Sequence, residues 1–228
     1  MRRWPEKHIP YFVVLEGVTS SQGCFFCSLE QSVVEKYFEE LLYEHVNDPG
    51  IRKALRASAV YCSKHAQQLL RRGDSFGTSI LYADQMRGFL EVFDGLTKAS
   101  MKSRAKAARN WIEHDGCPAC AAQKDARQRY IEVFIEWFHE EEMQNSFRDS
   151  NGLVCLSHFL AVLGAFTDRH QADLFREITK TKCMELLTQM QEFQRKANWM
   201  HCREEVGKER DSWIRAVEFF AGGKGVFE

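Results

Sequence analysis

The sequence predicts an all-α protein made of two tandem helical repeats, each closed by a Cys3His zinc site, with one further helix at the C-terminus. Three observations predict this fold: a cysteine and histidine pattern occurs twice at a fixed spacing, apolar residues recur at helical intervals in both copies, and strand signals are scarce. The chain has 228 residues, 44% of them apolar and 28% charged, which is typical of a globular protein with a real hydrophobic core.

The repeated pattern is a Cys-x-x-Cys pair followed, after thirty-four intervening residues, by a Cys-x-x-His pair. Every ligand candidate of the second copy lies 93 positions after its counterpart, and other identities, such as Tyr37 with Tyr130, share this offset. Such agreement indicates an internal duplication without gaps. The candidates are Cys24, Cys27, Cys62 and His65 in the first copy and Cys117, Cys120, Cys155 and His158 in the second.

Three thiolates and one imidazole form the closed tetrahedral set that structural zinc sites use. We therefore predict two zinc ions per chain, with each ion held inside one copy, where it closes a helical hairpin. Four protein ligands leave no open position for water or substrate, which predicts a structural role. Two alternatives stay open, an iron–sulfur cluster and a thiol redox pair, although the chain lacks the βαβ pattern of thioredoxin-like proteins.

The elements follow in order along the chain. Residues 1–22 are predicted as an extended segment, because the best strand signal is the run from Tyr11 to Leu15. The first zinc-binding repeat spans 23–115 and the second spans 116–207, and each begins with a long amphipathic helix. In the first copy a break at Asn47 to Gly50 and a shorter return helix follow. Apolar stripes predict a third helix in each copy, around 80–96 and 174–193.

Residues 208–228 are predicted as a C-terminal helix and tail. Asp211 or Ser212 is a suitable N-cap, and Gly222 with Gly223 ends the helix. In this interpretation Trp213, Val217 and Phe220 form the buried side.

The order CxxC, helix, CxxH, repeated once and followed by DSWIRAVEFFAG, resembles an uncharacterised family of bacterial and archaeal proteins. The resemblance covers Cys24 to Gly222. It implies the helical fold and the two metal sites, and it implies no activity. One departure is Phe25, which stands where such sequences often have a proline, as the second copy has in Pro118.

No phosphate-binding glycine loop, nucleophile elbow or open metal motif occurs, so the sequence favours a non-catalytic interaction module over an enzyme. Its partner would be an unknown protein or a small ligand. The alternative is a nucleic-acid-associated regulator, although a net charge of −1 disfavours general nucleic-acid binding. That alternative would use one predicted helix face, formed by Lys98, Lys102, Lys106 and Arg109.

Eight cysteines without a signal peptide or an apolar run long enough to span a membrane predict a cytoplasmic protein that does not enter membranes. Two of these cysteines, Cys183 and Cys202, belong to neither quartet. The sequence does not determine whether they are reactive.

Overall fold

The regular structure of the described residues is helical throughout, which confirms the predicted all-α class. The structure is a computed structural model, and it describes residues 7–57, 61–97, 100, 102–103, 106, 116–201, 203–223 and 226. A π-helical turn over Leu41–His45 continues the second helix. The α-helices are α1 (Ile9–Ser20), α2 (Phe25–Glu40), α3 (Pro49–Ala57), α4 (Ser63–Arg71), α5 (Ser75–Thr97), α6 (Pro118–Trp137), α7 (Glu141–Asp149), α8 (Leu156–Ala165), α9 (Arg169–Lys196) and α10 (Ser212–Ala221).

The chain forms two compact units. Unit 1 contains Met1–Gln31 together with Ala126–Glu228, and unit 2 contains Ser32–Asp125. Their boundaries fall within α2 and α6, so the units differ from the sequential segments 23–115 and 116–207 that the duplication predicts. Each unit therefore contains the Cys-x-x-Cys pair of one copy and the Cys-x-x-His pair of the other.

The N-terminal segment is a helix, and the prediction of an extended strand there is wrong. Pro10 lies in the first turn of α1, where its fixed backbone angle favours helix and its missing N–H costs nothing. Tyr11, Val14 and Val18 are fully buried at helical spacing, so tertiary packing outweighs the β-propensity of this run.

Unit 1 has a core rich in aromatic side chains. Phe175 is central, with its ring 5.9 Å from both Phe134 and Phe138 and 5.4 Å from Phe147. Trp137 is also buried and meets the ring of Tyr11 edge-on at 5.0 Å. Such contacts stabilise by burial and by ring geometry, which together anchor α1, α6, α7 and α9.

Unit 2 has a smaller buried core among its described residues. The inward face of α2 contributes Val34 and Phe38, as the predicted stripe requires, and α4 and α5 contribute Leu69 and Leu81. An ion-pair cluster adds to this core between α3 and α5. Buried Asp84 accepts hydrogen bonds from Arg52 at 2.5 and 2.6 Å, from Arg56 at 3.1 Å and from Arg87 at 2.7 Å.

The side of α10 predicted to be buried is exposed. Trp213, Val217 and Phe220 are 54%, 60% and 70% exposed. The inward side consists of fully buried Ser212 and its helical neighbours, and Arg215 donates hydrogen bonds to Gln189 and to the carbonyl of Lys208. These polar contacts orient the helix, so its apolar side faces outward.

The third helix of the first copy also differs from the prediction of a core helix. Leu81 is buried, whereas Phe89, Leu90 and Phe93 in the second half of α5 are exposed. The C-terminal end of this helix therefore displays an apolar face within unit 2.

Replacing Asp84 by Asn should weaken unit 2, because it leaves three arginines around a buried neutral group. We expect the free energy of unfolding to fall by about 1–2 kcal/mol at pH 7. Hydrogen bonding to Arg52 holds the pKa of Asp84 below its ordinary 3.8, so the stabilisation exists above that pH and is lost as the pH falls through the lowered pKa. Urea unfolding followed by circular dichroism at several pH values measures both effects.

The matched control for this experiment is Glu91→Gln, which removes an exposed carboxylate from the same helix. It should change stability by less than about 0.5 kcal/mol. Equal losses in the two variants would show that the Asp84 cluster contributes nothing specific.

Candidate metal centres

The first group of possible metal ligands lies in unit 1 and consists of Cys24, Cys27, Cys155 and His158. All four are buried, and their ligand atoms lie within 4.8 Å of one another. The Nδ1 atom of His158 is 3.4, 3.5 and 3.2 Å from the sulfurs of Cys24, Cys27 and Cys155. The sulfurs of Cys27 and Cys155 are 3.7 Å apart. We call this group cluster 1.

The second group, cluster 2, lies in unit 2 and consists of Cys62, His65, Cys117 and Cys120. The Nδ1 atom of His65 is 3.3 Å from the sulfurs of Cys62 and Cys117 and 3.2 Å from that of Cys120. The sulfurs of Cys62 and Cys120 are 3.6 Å apart. The two groups therefore have the same composition and nearly the same dimensions.

All eight predicted ligands are brought together, but not in the predicted partition. We expected each copy to close its own site, whereas each cluster takes its Cys-x-x-Cys from one copy and its Cys-x-x-His from the other. Helix length favours this exchange. From Phe25, α2 and its π-turn extend about 30 Å, whereas the nine-residue α3 is only about 14 Å long.

Each cysteine pair and each Cys-x-x-His pair begins at a helix N-terminus. The carbonyls of Cys24, Cys62, Cys117 and Cys155 accept the first helical hydrogen bonds, from Ser28, Ala66, Ala121 and Phe159. The i, i+3 spacing then places both ligands of a pair on one side of the first turn. The positive end of each helix dipole also favours thiolate over thiol at these positions.

The dimensions of both clusters fit one four-coordinate ion. With metal–sulfur bonds of about 2.3 Å and metal–nitrogen bonds of about 2.0–2.1 Å, a tetrahedron has S···S edges of about 3.8 Å and S···N edges of about 3.6 Å. The sulfur–sulfur distances of 3.7 and 3.6 Å match, and the sulfur–nitrogen distances of 3.2–3.5 Å are slightly shorter. A single small cation can therefore bind all four atoms of either cluster.

The electrostatics of cluster 1 favour one positive charge among its sulfurs. Burial alone would lower the pKa of His158, but hydrogen bonds with Cys155, Cys24 and Glu30 raise it to about 11, so the ring holds a proton in the absence of a metal ion. Contacts with Cys155 and Cys24 raise the pKa of Cys27, whereas contacts with Cys24 and Cys27 lower that of Cys155, so the three sulfurs do not all ionise readily. A bound cation would replace the proton of His158 and relieve the repulsion between the sulfurs.

In cluster 2, burial and, to a smaller extent, the nearby charge of Lys64 lower the pKa of His65 to about 4. The imidazole is therefore neutral at pH 7, which is the form that binds a metal ion. Burial together with the neighbouring sulfurs of Cys117 and Cys62 raises the pKa of Cys120 to about 12. A bound cation would have to overcome this preference for the thiol.

A buried acidic residue that sequence reasoning did not identify supports cluster 1. Glu30 is fully buried and lies 2.6 Å from Nε2 of His158, on the side of the ring opposite the sulfurs. Arg127 donates two hydrogen bonds to the same carboxylate, at 2.7 and 2.8 Å. A carboxylate on the second ring nitrogen fixes the tautomer of a metal-binding histidine and increases its basicity.

Cluster 2 has a different neighbour at the equivalent place. Gln123, 93 positions after Glu30, lies near His65 and raises its pKa, and its Oε1 accepts from Lys64 at 3.3 Å. Nε2 of His65 is buried and has no hydrogen-bond partner among the described residues, unlike Nε2 of His158. The ring of Phe38 lies edge-on to His65, with centroids 6.4 Å apart.

Comparison with known proteins places the chain in a family without an assigned activity. A profile described as "Family of unknown function (DUF6062)" matches residues 6–225. The chain belongs to this family. It is similar to an uncharacterised 23.9 kDa protein encoded in the xynA 3′ region of Caldicellulosiruptor sp. (strain Rt8B.4), with 24% identity over 200 residues, which cover 87% of this chain and 95% of the relative. No solved structure matches the chain.

The remaining predicted residues lie apart from the clusters or outside the described residues. Lys102 and Lys106 are helical and exposed, while Lys98 and Arg109 lie outside the described residues.

Cys183 is half-buried, and burial raises the pKa of its thiol, which disfavours reactivity. Cys202 lies outside the described residues. Within the described part of the chain, no helix is both long and apolar enough to cross a membrane.

Two loops meet tightly beside cluster 1. A Cβ atom on Gly152 would lie 2.5 Å from the carbonyl oxygen of Gly23 and 2.9 Å from that of Ser21. Lys182 holds the Gly152 loop by donating hydrogen bonds to the carbonyls of Ser150 and Gly152. These contacts fix the two segments that lead into Cys24 and Cys155.

The C-terminal residues also contact cluster 1. The backbone N–H of Gly223 donates to the Cys27 sulfur at 3.2 Å, and a Cβ at Gly223 would lie 2.8 Å from Cys27 Cβ. Gly222, with φ of 81°, ends α10 in the region that favours glycine and turns the chain toward this contact.

Gly152→Ala should disturb cluster 1, because backbone atoms cannot move away from the new methyl group as a flexible side chain can. We expect a loss of about 2 kcal/mol or more in the stability of unit 1 and weaker metal binding there. Gly164→Ala is the matched control, because Gly164 lies in α8 with open space around its Cα. The control should retain or slightly gain stability. Thermal unfolding and metal content of both variants check the expectation, and an unaffected Gly152→Ala would contradict the close approach of the loops.

Proposed function

We propose that the protein is a zinc-binding helical protein whose two Cys3His sites are structural, and that it acts as a non-catalytic interaction module. The observation on which this proposal rests is the geometry of the clusters. In each cluster, three sulfurs and one imidazole nitrogen lie within 4.8 Å of one another, and the S···N distances of 3.2–3.5 Å and the S···S distances of 3.7 and 3.6 Å are close to the edges of one tetrahedron around a single ion. Zinc in structural sites uses this ligand set and this coordination number.

Zinc is favoured over an iron–sulfur cluster by the short distances between ligand atoms. Each ligand of a four-iron cluster binds a different iron atom, so its ligands stand farther apart than the edges of one tetrahedron. The S···S distances of 3.7 and 3.6 Å support a single ion. Soft thiolate ligands, in a tetrahedral arrangement of three sulfurs and one nitrogen, favour Zn²⁺ over the harder divalent cations.

The number of protein ligands favours a structural role for both ions. With four protein ligands, a zinc ion has no position at which to activate water or polarise a substrate. Its contribution is then to folding, because each ion joins segments that are far apart in sequence. In cluster 1 the joined residues Cys24 and His158 are separated by 134 positions.

The interaction role is supported by apolar side chains that the described residues leave exposed. In unit 2, Tyr82, Met86 and Phe93 lie on one face of α5, with Phe89 and Leu90 between them. In unit 1, Trp213, Val217 and Phe220 form an outward row on α10. Contiguous apolar faces of this kind are typical of surfaces that bind other molecules.

Metal analysis of paired cysteine variants tests both the zinc content and the exchange of ligands between copies. The unmodified chain should contain two zinc ions. Cys24→Ser with Cys155→Ser changes only cluster 1 and should leave one tightly bound ion. Cys24→Ser with Cys62→Ser changes both clusters and should leave none that survives a competing chelator.

The two variants are matched, because each removes one thiol from a Cys-x-x-Cys and one from a Cys-x-x-His. If each copy instead held its own ion, the same-copy pair would retain one ion and the cross-copy pair would lose both. Iron with visible absorbance in the unmodified protein would overturn the assignment of zinc.

Removing the metal should unfold the protein, because metal-binding energy in such sites is folding energy. A strong chelator added under reducing conditions is expected to abolish much of the helical circular dichroism signal, and added Zn²⁺ should restore it. The control is an equal concentration of chelator already saturated with zinc. A fully demetallated sample that kept its helical signal and melting temperature would rule out the structural role.

A further inference from the structure

The two clusters have identical ligands, but their ligand sulfurs differ in exposure to solvent. In cluster 1, Cys24, Cys27 and Cys155 are only 7%, 3% and 1% exposed, and His158 is fully buried. In cluster 2, His65 is also fully buried, but Cys62 and Cys117 are half-buried and Cys120 lies at the surface. A solvent-borne reagent can therefore come close to cluster 2, whereas the protein encloses cluster 1.

The residues behind the histidines differ in charge, and the duplication makes the comparison direct. Glu30 and Gln123 occupy equivalent positions, as do Arg127 and Val34. Cluster 1 thus has a carboxylate on His158, held by two hydrogen bonds from an arginine. Cluster 2 has a neutral amide beside His65, and buried Val34 stands at the position equivalent to the arginine.

The packing over the histidines differs in the same direction. Phe26, between the cysteines of the first pair, stacks on His158 with centroids 5.2 Å apart. Its equivalent in the second pair is Ala119, which is too small to cover His65 in this way. Exposure, charge and packing therefore all give cluster 1 the firmer hold on an ion.

From these differences we infer that cluster 2 is an exchangeable zinc site, which releases and rebinds its ion, while cluster 1 holds its ion permanently. This inference rests on the proposed zinc function and assigns separate roles to the two sites. Access begins at Cys120, because a competing ligand can approach the ion from the side of the exposed sulfur. The molecules that fit this access are small thiols, chelators and metal-accepting proteins.

Exchange at cluster 2 would change the structure of unit 2 specifically. The ion joins the N-terminus of α4, through Cys62 and His65, to the N-terminus of α6, through Cys117 and Cys120. Because the described core of unit 2 is small, loss of this link removes a large share of its stabilisation. Unit 2 would thus respond to the availability of zinc while unit 1 stays folded.

The test uses the full chain loaded with zinc. A chromogenic chelator records zinc release, while N-ethylmaleimide labels cysteines as they become free and mass spectrometry locates the labels. We expect two phases of equal amplitude that differ in rate by at least tenfold. Labels should appear on Cys62, Cys117 and Cys120 during the fast phase and on Cys24, Cys27 and Cys155 during the slow phase.

Reciprocal variants test the physical cause. Glu30→Gln should accelerate the slow phase by about 10–100-fold, the range found when the outer partner of a metal-binding histidine is lost. Gln123→Glu should slow the fast phase, because it places a carboxylate beside His65. Two controls alter exposed positions in the same units: Glu16→Gln in unit 1 and Gln67→Glu in unit 2. Both should leave the two rates unchanged.

The possible failures are distinguishable. If the chain binds no zinc, the proposed function itself is wrong. If it binds two ions that leave in one phase, or if the first labels fall on the cysteines of cluster 1, the zinc function stands and the exchangeable site is overturned. The zinc-loaded Glu30→Gln variant could melt at a much lower temperature than the unmodified chain. In that case its rate of zinc release is compared with that of Glu30→Asp, which retains the negative charge and should release zinc more slowly than Glu30→Gln.

Discussion

The crowding of three cysteine sulfurs and one imidazole nitrogen within 4.8 Å is the constraint around which each unit is arranged. Three thiolates so close together are unfavourable without a cation, because each ionised sulfur raises the cost of ionising the next. A bound ion would reverse this balance and make the same crowding favourable. In cluster 1 it would reinforce the aromatic core, which joins the same distant segments, and would offset the chain entropy lost when Cys27 and Cys155, 128 positions apart, are brought together.

The exchange of ligand pairs between copies follows from this constraint together with helix length. A Cys-x-x-Cys at the start of α2 or α6 is followed by about 30 Å of helix, which leads the chain away before the next Cys-x-x-His of its own copy. Each pair is completed by the other copy instead. As a consequence, neither sequence copy contains a complete site, although each contains four ligands of the right kinds.

Much of the site was predictable, because ligand chemistry is local in sequence. All eight ligands and their places at helix N-termini follow from two-residue gaps and apolar periodicity. The partition of ligands was not predicted, because the repeated pattern offers every Cys-x-x-Cys two Cys-x-x-His partners, and only the tertiary structure shows which of the two it meets. Glu30 had a weak signal, since it lies three residues after Cys27 on the same helical face. Arg127 had none, because only the tertiary structure brings it to Glu30.

The errors in the predicted fold, in α1 and in α10, both arise because tertiary contacts decide what local sequence patterns leave open. In α1 the β-branched and aromatic run from Tyr11 to Leu15 has the composition of a strand, yet its buried residues follow helical spacing once α7 is available to pack against. In α10 the apolar side was assigned to the core, but Arg215 finds hydrogen-bond acceptors on the opposite side and orients the helix around them. Periodicity identifies that a helix has two sides, whereas polar partners decide which side faces inward.

The two clusters have the same kinds of candidate ligands, and the differences between them fall on neighbouring residues. At the shared 93-position offset, Glu30 stands against Gln123, Arg127 against Val34, and Phe26 against Ala119. Changes at these positions alter charge, burial and ring packing without removing a ligand. Changes at these positions can therefore make the same ligand set hold an ion more or less firmly. Cluster 1 lies within an aromatic core, whereas cluster 2 lies within reach of solvent.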